Sequence, residues 1–193
     1  MNKQHEKTRL PKKNSDSLLV FMAIALVGAL LLITTFFLPF ASATKEYRES
    51  LNDHPDKMYV EEINMTNKDA KDISLLEFGM IYSAAADLGV NSGIAVTCLI
   101  IIIAFAVFAV LTTLFIALKK PIAALIFTLL SFGVFQLIKW DFEDRGVIPT
   151  SKYDWGFAEV ICYIGITIAV IGSILLLIAK SKAKRQTNQE KNS

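Results

Sequence analysis

The chain has 193 residues, 53% of them hydrophobic, with a formal net charge of +2 and a mean hydropathy of +0.47. That is too apolar for an ordinary water-soluble domain of this length, and the length leaves no room for a soluble catalytic domain beside a membrane bundle. The two cysteines, Cys98 and Cys162, both lie in apolar runs; this excludes a disulfide framework in the polar segments and leaves them as small packing residues.

Residues 1–16 are polar and basic without an apolar period and are expected to form a disordered tail in which His5 is simply solvated. Lys12 and Lys13 stand just ahead of the first apolar run, residues 17–40. The small-x-small triplet Ala41-Ser42-Ala43 after that run has the form of a signal cleavage site. Signal cores are about 7–15 residues long, however, and this run exceeds twenty, so an uncleaved first span (TM1) is the favoured reading.

Residues 41–93 are the one large soluble piece. Their first part, 44–71, is charged, poor in apolar residues and contains Pro55, and is expected to be irregular or only partly helical. Asp53-His54-Pro55-Asp56 with Glu61 and Glu62 gathers possible metal ligands. Zinc needs three or four of them at fixed geometry, and a solvated acidic loop accounts for the cluster without a metal. Further on, Ser74-Leu75-Leu76-Glu77 reads as a capping box. Leu75, Phe78, Tyr82, Ala85 and Leu88 then recur at spacings of three and four, giving one apolar stripe on a helix over about 74–88. At about fourteen residues it is too short to span a bilayer. Its stripe packs on the other spans or forms a possible partner face.

Residues 94–118 (TM2) and 121–138 (TM3) are uncharged and are separated only by Lys119-Lys120-Pro121. Each approaches or exceeds the ~20 residues needed to cross a ~30 Å hydrocarbon layer, and three residues cannot recross it, so the two form an antiparallel hairpin. Residues 139–156 make a second polar loop with Trp140, Tyr153 and Trp155 placed as interfacial aromatics. Residues 157–179 form TM4, in which Ala158, Cys162, Gly165, Ala169 and Gly172 follow steps of four and three. Small residues along one face let another helix backbone approach closely in lipid, so this face is a helix-packing seam whose partner helix is left open. Ala25, Gly28 and Ala29 in TM1 form a weaker version.

Orientation comes from the cations. The tails 1–16 and 180–193 and the turn 119–120 hold 12 Lys/Arg against 3 Asp/Glu, whereas 41–93 and 139–159 hold 8 against 15. By the positive-inside rule Lys12, Lys13, Lys119, Lys120, Lys180 and Lys182 are topology anchors on the cytoplasmic side, and both termini are cytoplasmic. The tail 180–193 is expected to be a stop-transfer segment with a disordered end. It lacks the folded basic surface with aromatics that nucleic-acid binding needs.

Transporters mark their pathways with ionisable groups inside spans, and none of the four cores has a clear case. Gln136 and hydroxyls such as Thr34, Thr35, Thr97, Thr112, Thr113, Thr128, Ser131, Thr167 and Ser173 are the strongest polar groups there, and hydroxyls can satisfy themselves on their own helix. No P-loop, HExxH, GxGxxG or nucleophile-elbow motif is present. No catalytic residue, metal site or cofactor is therefore expected.

The expected fold is an all-α four-helix transmembrane bundle with one extracytoplasmic loop domain containing a short amphipathic helix. Its order of inner ends, long first outer loop, short inner turn and short second outer loop resembles the tetraspan plan of claudin-like proteins in topology. Claudin first loops carry a Trp-containing motif and two cysteines, and residues 41–93 hold neither Trp nor Cys, so no residue role follows from that likeness. Leu38-Pro39-Phe40 ahead of a polar loop is also similar to small bacterial four-span proteins without assigned activity. The expected function is that of a non-enzymatic protein of a bacterial plasma membrane. It would act as an accessory or interaction subunit that binds a partner through its acidic outer loop and the small-residue face of TM4, its partners being the lipid bilayer and a membrane protein or a second copy of itself. A small transporter or channel using the hydroxyls is the alternative.

Overall fold

The computed structural model describes residues 12–191; the expectations for residues 1–11, His5 included, and for the side chains of Lys12 and Lys13 lie outside it. The fold is mostly helical. In chain order it runs α1 (Lys12–Thr35), β1 (Pro39–Ala43), α2 (Lys45–Asp53), β2 (Met58–Val60), β3 (Met65–Thr66), β4 (Asp72–Ser74), α3 (Leu75–Asp87), α4 (Ser92–Ala117), α5 (Pro121–Asp144), β5 (Tyr153–Trp155) and α6 (Ala158–Lys191). Four stretches, Ser17–Thr35, Ser92–Ala117, Pro121–Asp144 and Ala158–Gln186, are long and apolar enough to cross a membrane. The outward faces carry exposed Val27, Leu30, Ile103, Val107, Leu129 and Ile171, a surface that only a hydrocarbon environment accommodates over such an area. The protein is an integral, multi-pass membrane protein.

Around the bundle α1 packs on α6 and α4, α4 on α5, and α5 on α6. The small-residue seam of α6 meets α1 of the same chain. A methyl group added at Gly28 would come 2.3 Å from the backbone nitrogen of Ala169, and one at Gly172 2.5 Å from that of Ala25. Ala158, Cys162 and Ala169 are fully buried. Because lipid tails are as apolar as the side chains, this backbone contact supplies the dispersion energy that holds the pair together.

Three spans differ in length from the sequence reading. Helix α1 ends at Thr35 and not at residue 40, because Pro39 and Phe40 already belong to β1. Helix α5 runs past residue 138 to Asp144 because its apolar stripe continues through Ile138 to Phe142, each 1% exposed, and Arg145 pairs back to Asp141 one turn earlier. Helix α6 continues to Lys191, where a disordered end was expected. Residues 180–191 contain no Gly or Pro and hold four Lys and two Gln together with Ala183, Arg185 and Glu190, all strong helix formers. The α4–α5 turn closes with Lys119 in the left-handed conformation (φ 55°) and Pro121 opening α5.

The loop 41–93 is the larger correction. Its first part is folded, not irregular. β1 is the central strand of an antiparallel sheet ordered β4-β1-β5, with Ala41 opposite Ile73 on one side and Trp155 on the other. Ala41-Ser42-Ala43 therefore forms the middle of the sheet, with Ala41 and Ala43 buried, and a cut there would divide it. β2 and β3 make a separate two-stranded ribbon. Together with α2 and α3 these strands cap one end of the bundle.

Cap and bundle share one continuous core. Leu51, Met65, Ala70 and Ile73 of the cap belong to the same buried cluster as Leu32, Phe105 and Phe135 of the spans. Phe40 stands at the junction, with edge-on aromatic contacts at ring-centroid distances of 5.3 Å to Trp155, 5.5 Å to Phe142, 5.8 Å to Phe135 and 6.3 Å to Phe78.

Candidate functional site: the cap and its pocket

The capping box is formed. Ser74 Oγ accepts from the Glu77 N–H at 3.2 Å, and the Glu77 carboxylate accepts from the Ser74 N–H at 2.7 Å. This fixes the start of α3 directly after β4, and the Leu76 N–H donates to the Phe36 carbonyl at the end of α1 (3.1 Å). The α3 stripe turns inward. Leu75 and Phe78 are buried, Tyr82 and Ala85 are half-buried, and only Leu88, at the helix end, is exposed. The stripe is core, so it is not a free face for a partner.

Two polar clusters, neither anticipated from sequence, rivet the cap end. Arg145 is paired with Asp141 and donates to Tyr82 Oη at 2.9 Å, while the Cys98 thiol lies 3.6 Å from Asp141 Oδ2, so α3, α4 and α5 are joined. Lys139 is paired with Glu159, its ammonium 4.7 Å from the centre of the Trp155 ring, which ties α5 to α6. The Asp141–Arg145 spacing of four was legible as a helical pair; Lys139–Glu159, across a loop, was not. Of the expected interfacial aromatics Trp140 is exposed, but Trp155 packs on Phe40 and Tyr153 is buried in the cap. Burial of its aromatic body under the cationic Lys139 outweighs an interfacial position for Trp155.

The outer cap is organised by tyrosines and one ion pair. Tyr153 Oη donates to the Ala70 carbonyl at 2.7 Å. Tyr153 Oη also lies 3.3 Å from Tyr59 Oη, so the two phenols are hydrogen-bonded. Burial, then the hydrogen bond and charge of Tyr59, push the Tyr153 phenol well above its ordinary value; the same causes raise Tyr47 to about 12. Arg48 grips Asp72 with two guanidinium nitrogens at 2.7 and 2.9 Å, and Ser42 donates to Asp72 at 2.8 Å. Burial pushes the Asp72 carboxyl up, but these hydrogen bonds and the Arg48 charge outweigh it and hold the group below the usual range.

Between ribbon, sheet, α3 and the α5–β5 loop lies a pocket of about 330 Å³, lined among others by Tyr59, Ile73, Phe78, Ile148, Lys152 and Tyr153. The walls are apolar and aromatic, with phenol, hydroxyl and ammonium groups among them, the composition of a site that accepts an apolar side chain or small ligand. Beside it the ribbon exposes Met58 (46%) and Tyr59 (37%), and Glu61 and Glu62 follow on the exposed turn after β2. Asp53, His54 and Asp56 line an open depression of about 510 Å³ elsewhere on the cap, and among the described residues no group of three His, Cys, Asp or Glu is placed to hold a metal ion.

Within the spans seven of the nine hydroxyls donate to the carbonyl four residues earlier on their own helix: Thr34, Thr35, Thr97, Thr113, Thr128, Ser131 and Thr167. Thr112 and Ser173 are buried without a partner. Gln136 is on an exposed face, where its side-chain oxygen accepts from Tyr163 Oη at 3.1 Å.

Fold and site together define a class: a four-span membrane protein whose largest loop folds into a cap that shares the bundle's core and carries a small aromatic pocket. A scan of protein-family models, a search of curated proteins and a search of solved structures each return no match to the chain.

Proposed function

We propose that the protein is a non-enzymatic accessory or interaction subunit of a plasma membrane, with both termini cytoplasmic and the cap outside, and that the cap binds a membrane-protein partner. One observation carries this reading. Met58 and Tyr59 are held exposed beside an aromatic pocket on a cap that shares its core with the bundle, so the apolar contact surface is pre-organised and binding orders little further chain. The partner is expected to insert an apolar or aromatic side chain flanked by basic residues, because residues 41–93 hold 10 Asp/Glu against 5 Lys/Arg.

Two surfaces suggested by sequence are occupied within the chain: the α3 stripe by the bundle and the α6 seam by α1. This moves the proposed contact to the top of the cap. Hydroxyls turned back on their own helices and the aromatic cluster around Phe40 favour interaction over transport. A photo-crosslinker at Met58 in native membranes tests the reading. The expected result is one crosslinked partner in stoichiometric amount, lost in Tyr59→Ala and retained in Trp140→Ala. Recovery of the protein alone, or substrate flux through it in liposomes, overturns it. The orientation is tested separately, since a reporter fused after Ser193 should be cytoplasmic.

A further inference from the structure

At the end of the bundle opposite the cap, α5 and α6 are separated by a groove of about 690 Å³, the largest of the cavities described. Its walls are apolar: Ile122 and Ile126 from the first turns of α5 face Leu177 of α6 across it. Its rim is cationic. Lys120 stands at the start of α5, and Lys180 and Lys184 are one turn apart on α6. The Lys180 ammonium donates one hydrogen bond, 2.9 Å long, to the Lys119 carbonyl, which holds it at the groove mouth with two further donors to offer. Among the described lining residues there is no carboxylate to neutralise the three lysines.

We propose that this groove binds an anionic glycerophospholipid. The phosphate sits among Lys120, Lys180 and Lys184, and the upper part of an acyl chain lies against Ile122, Ile126 and Leu177. The charge arrangement selects an anion. The apolar body beneath it selects a lipid over free phosphate, which would leave those walls unfilled. The site is at the boundary of the spans, where Lys119-Lys120 ends the hairpin, so headgroup and chain meet their partners at their natural depth. With the turn end cytoplasmic the lipid belongs to the inner leaflet. The site itself does not depend on that orientation or on the cap having a partner.

The test is native mass spectrometry of the full chain in neutral detergent with added phosphatidylglycerol, phosphatidylcholine or inorganic phosphate. One phosphatidylglycerol per chain should be retained in preference to phosphatidylcholine, and phosphate should not displace it. Each of Lys120→Gln, Lys180→Gln and Lys184→Gln should weaken retention about fivefold, the factor expected for one lysine near a charged surface. Lys182→Gln removes the same charge outside the groove lining and should change it less than about twofold. Ile126→Trp fills the groove without altering charge, and it should lower retention even if a lysine variant assembles poorly. Equal retention of both lipids, displacement by phosphate, an equal loss in Lys182→Gln or full retention in Ile126→Trp overturns the proposal.

Discussion

Phe40 does more than any other residue to join the two parts of the molecule. It leaves the end of α1, enters the sheet as the second residue of β1 and fills the space between α3, α5 and β5 with four edge-on ring contacts. Phe40→Ala removes a fully buried ring and should cost about 3–5 kcal/mol, seen as a lower unfolding temperature in detergent and as early loss of protease resistance in the cap. Gly28 makes the opposite demand. Its neighbour is the backbone of α6 itself, which cannot move aside like a flexible side chain, so Gly28→Leu should separate α1 from α6. A variant as stable as the parent would exclude the close contact. Asp72 sets a pH dependence. Its folded-state value lies below the ordinary one near 3.9, so it contributes stability that is complete above that ordinary value and is lost as pH falls through the folded value. Cap stability should therefore decline on acidification below about pH 4, and Asp72→Asn should remove that part of the decline. With both partners more than a third exposed, the effect is limited to about 1 kcal/mol.

At the scale of elements, α3 depends on its start signal. Without the Ser74 hydroxyl the Glu77 N–H loses its acceptor, and Ser74→Ala should cost about 1 kcal/mol, read as faster amide exchange over residues 75–79. The effect is local because α4 supports the rest of the helix. The extensions of α5 and α6 follow another rule. Beyond the uncharged core a helix continues while it has an apolar stripe to bury or good helix formers to use, and charge alone does not end it. Lys139 and Glu159, 17% and 22% exposed, neutralise each other where α5 meets α6. Glu159→Gln leaves the ammonium without its counter-charge, and a cost of roughly 1–3 kcal/mol is expected, measured as unfolding free energy and absent when Lys139→Gln is added.

On the scale of the whole molecule, the bundle supports the cap, and under the proposed function the cap is the part that meets a partner. Each span faces lipid on one side and the shared core on the other, and the core runs without interruption from the spans into the cap. A partner that contacts Met58 and Tyr59 therefore meets a surface fixed relative to the membrane.

The sequence by itself determined the number of spans, the hairpin at Lys119-Lys120-Pro121, the capping box and the small-residue face of α6. Each of these rests on local composition or on a spacing of three and four, and lipid leaves little freedom in how such patterns are read. Only the tertiary structure decided that the seam is filled by α1, that the α3 stripe is core and that Ala41-Ser42-Ala43 is the centre of a sheet. It also decided that Lys139 finds Glu159, and Tyr59 finds Tyr153, across 94 residues of chain. Short strands of two to five residues carry too little periodicity to be seen alone, and a contact between distant segments depends on how helices close the space between them, which no local window contains.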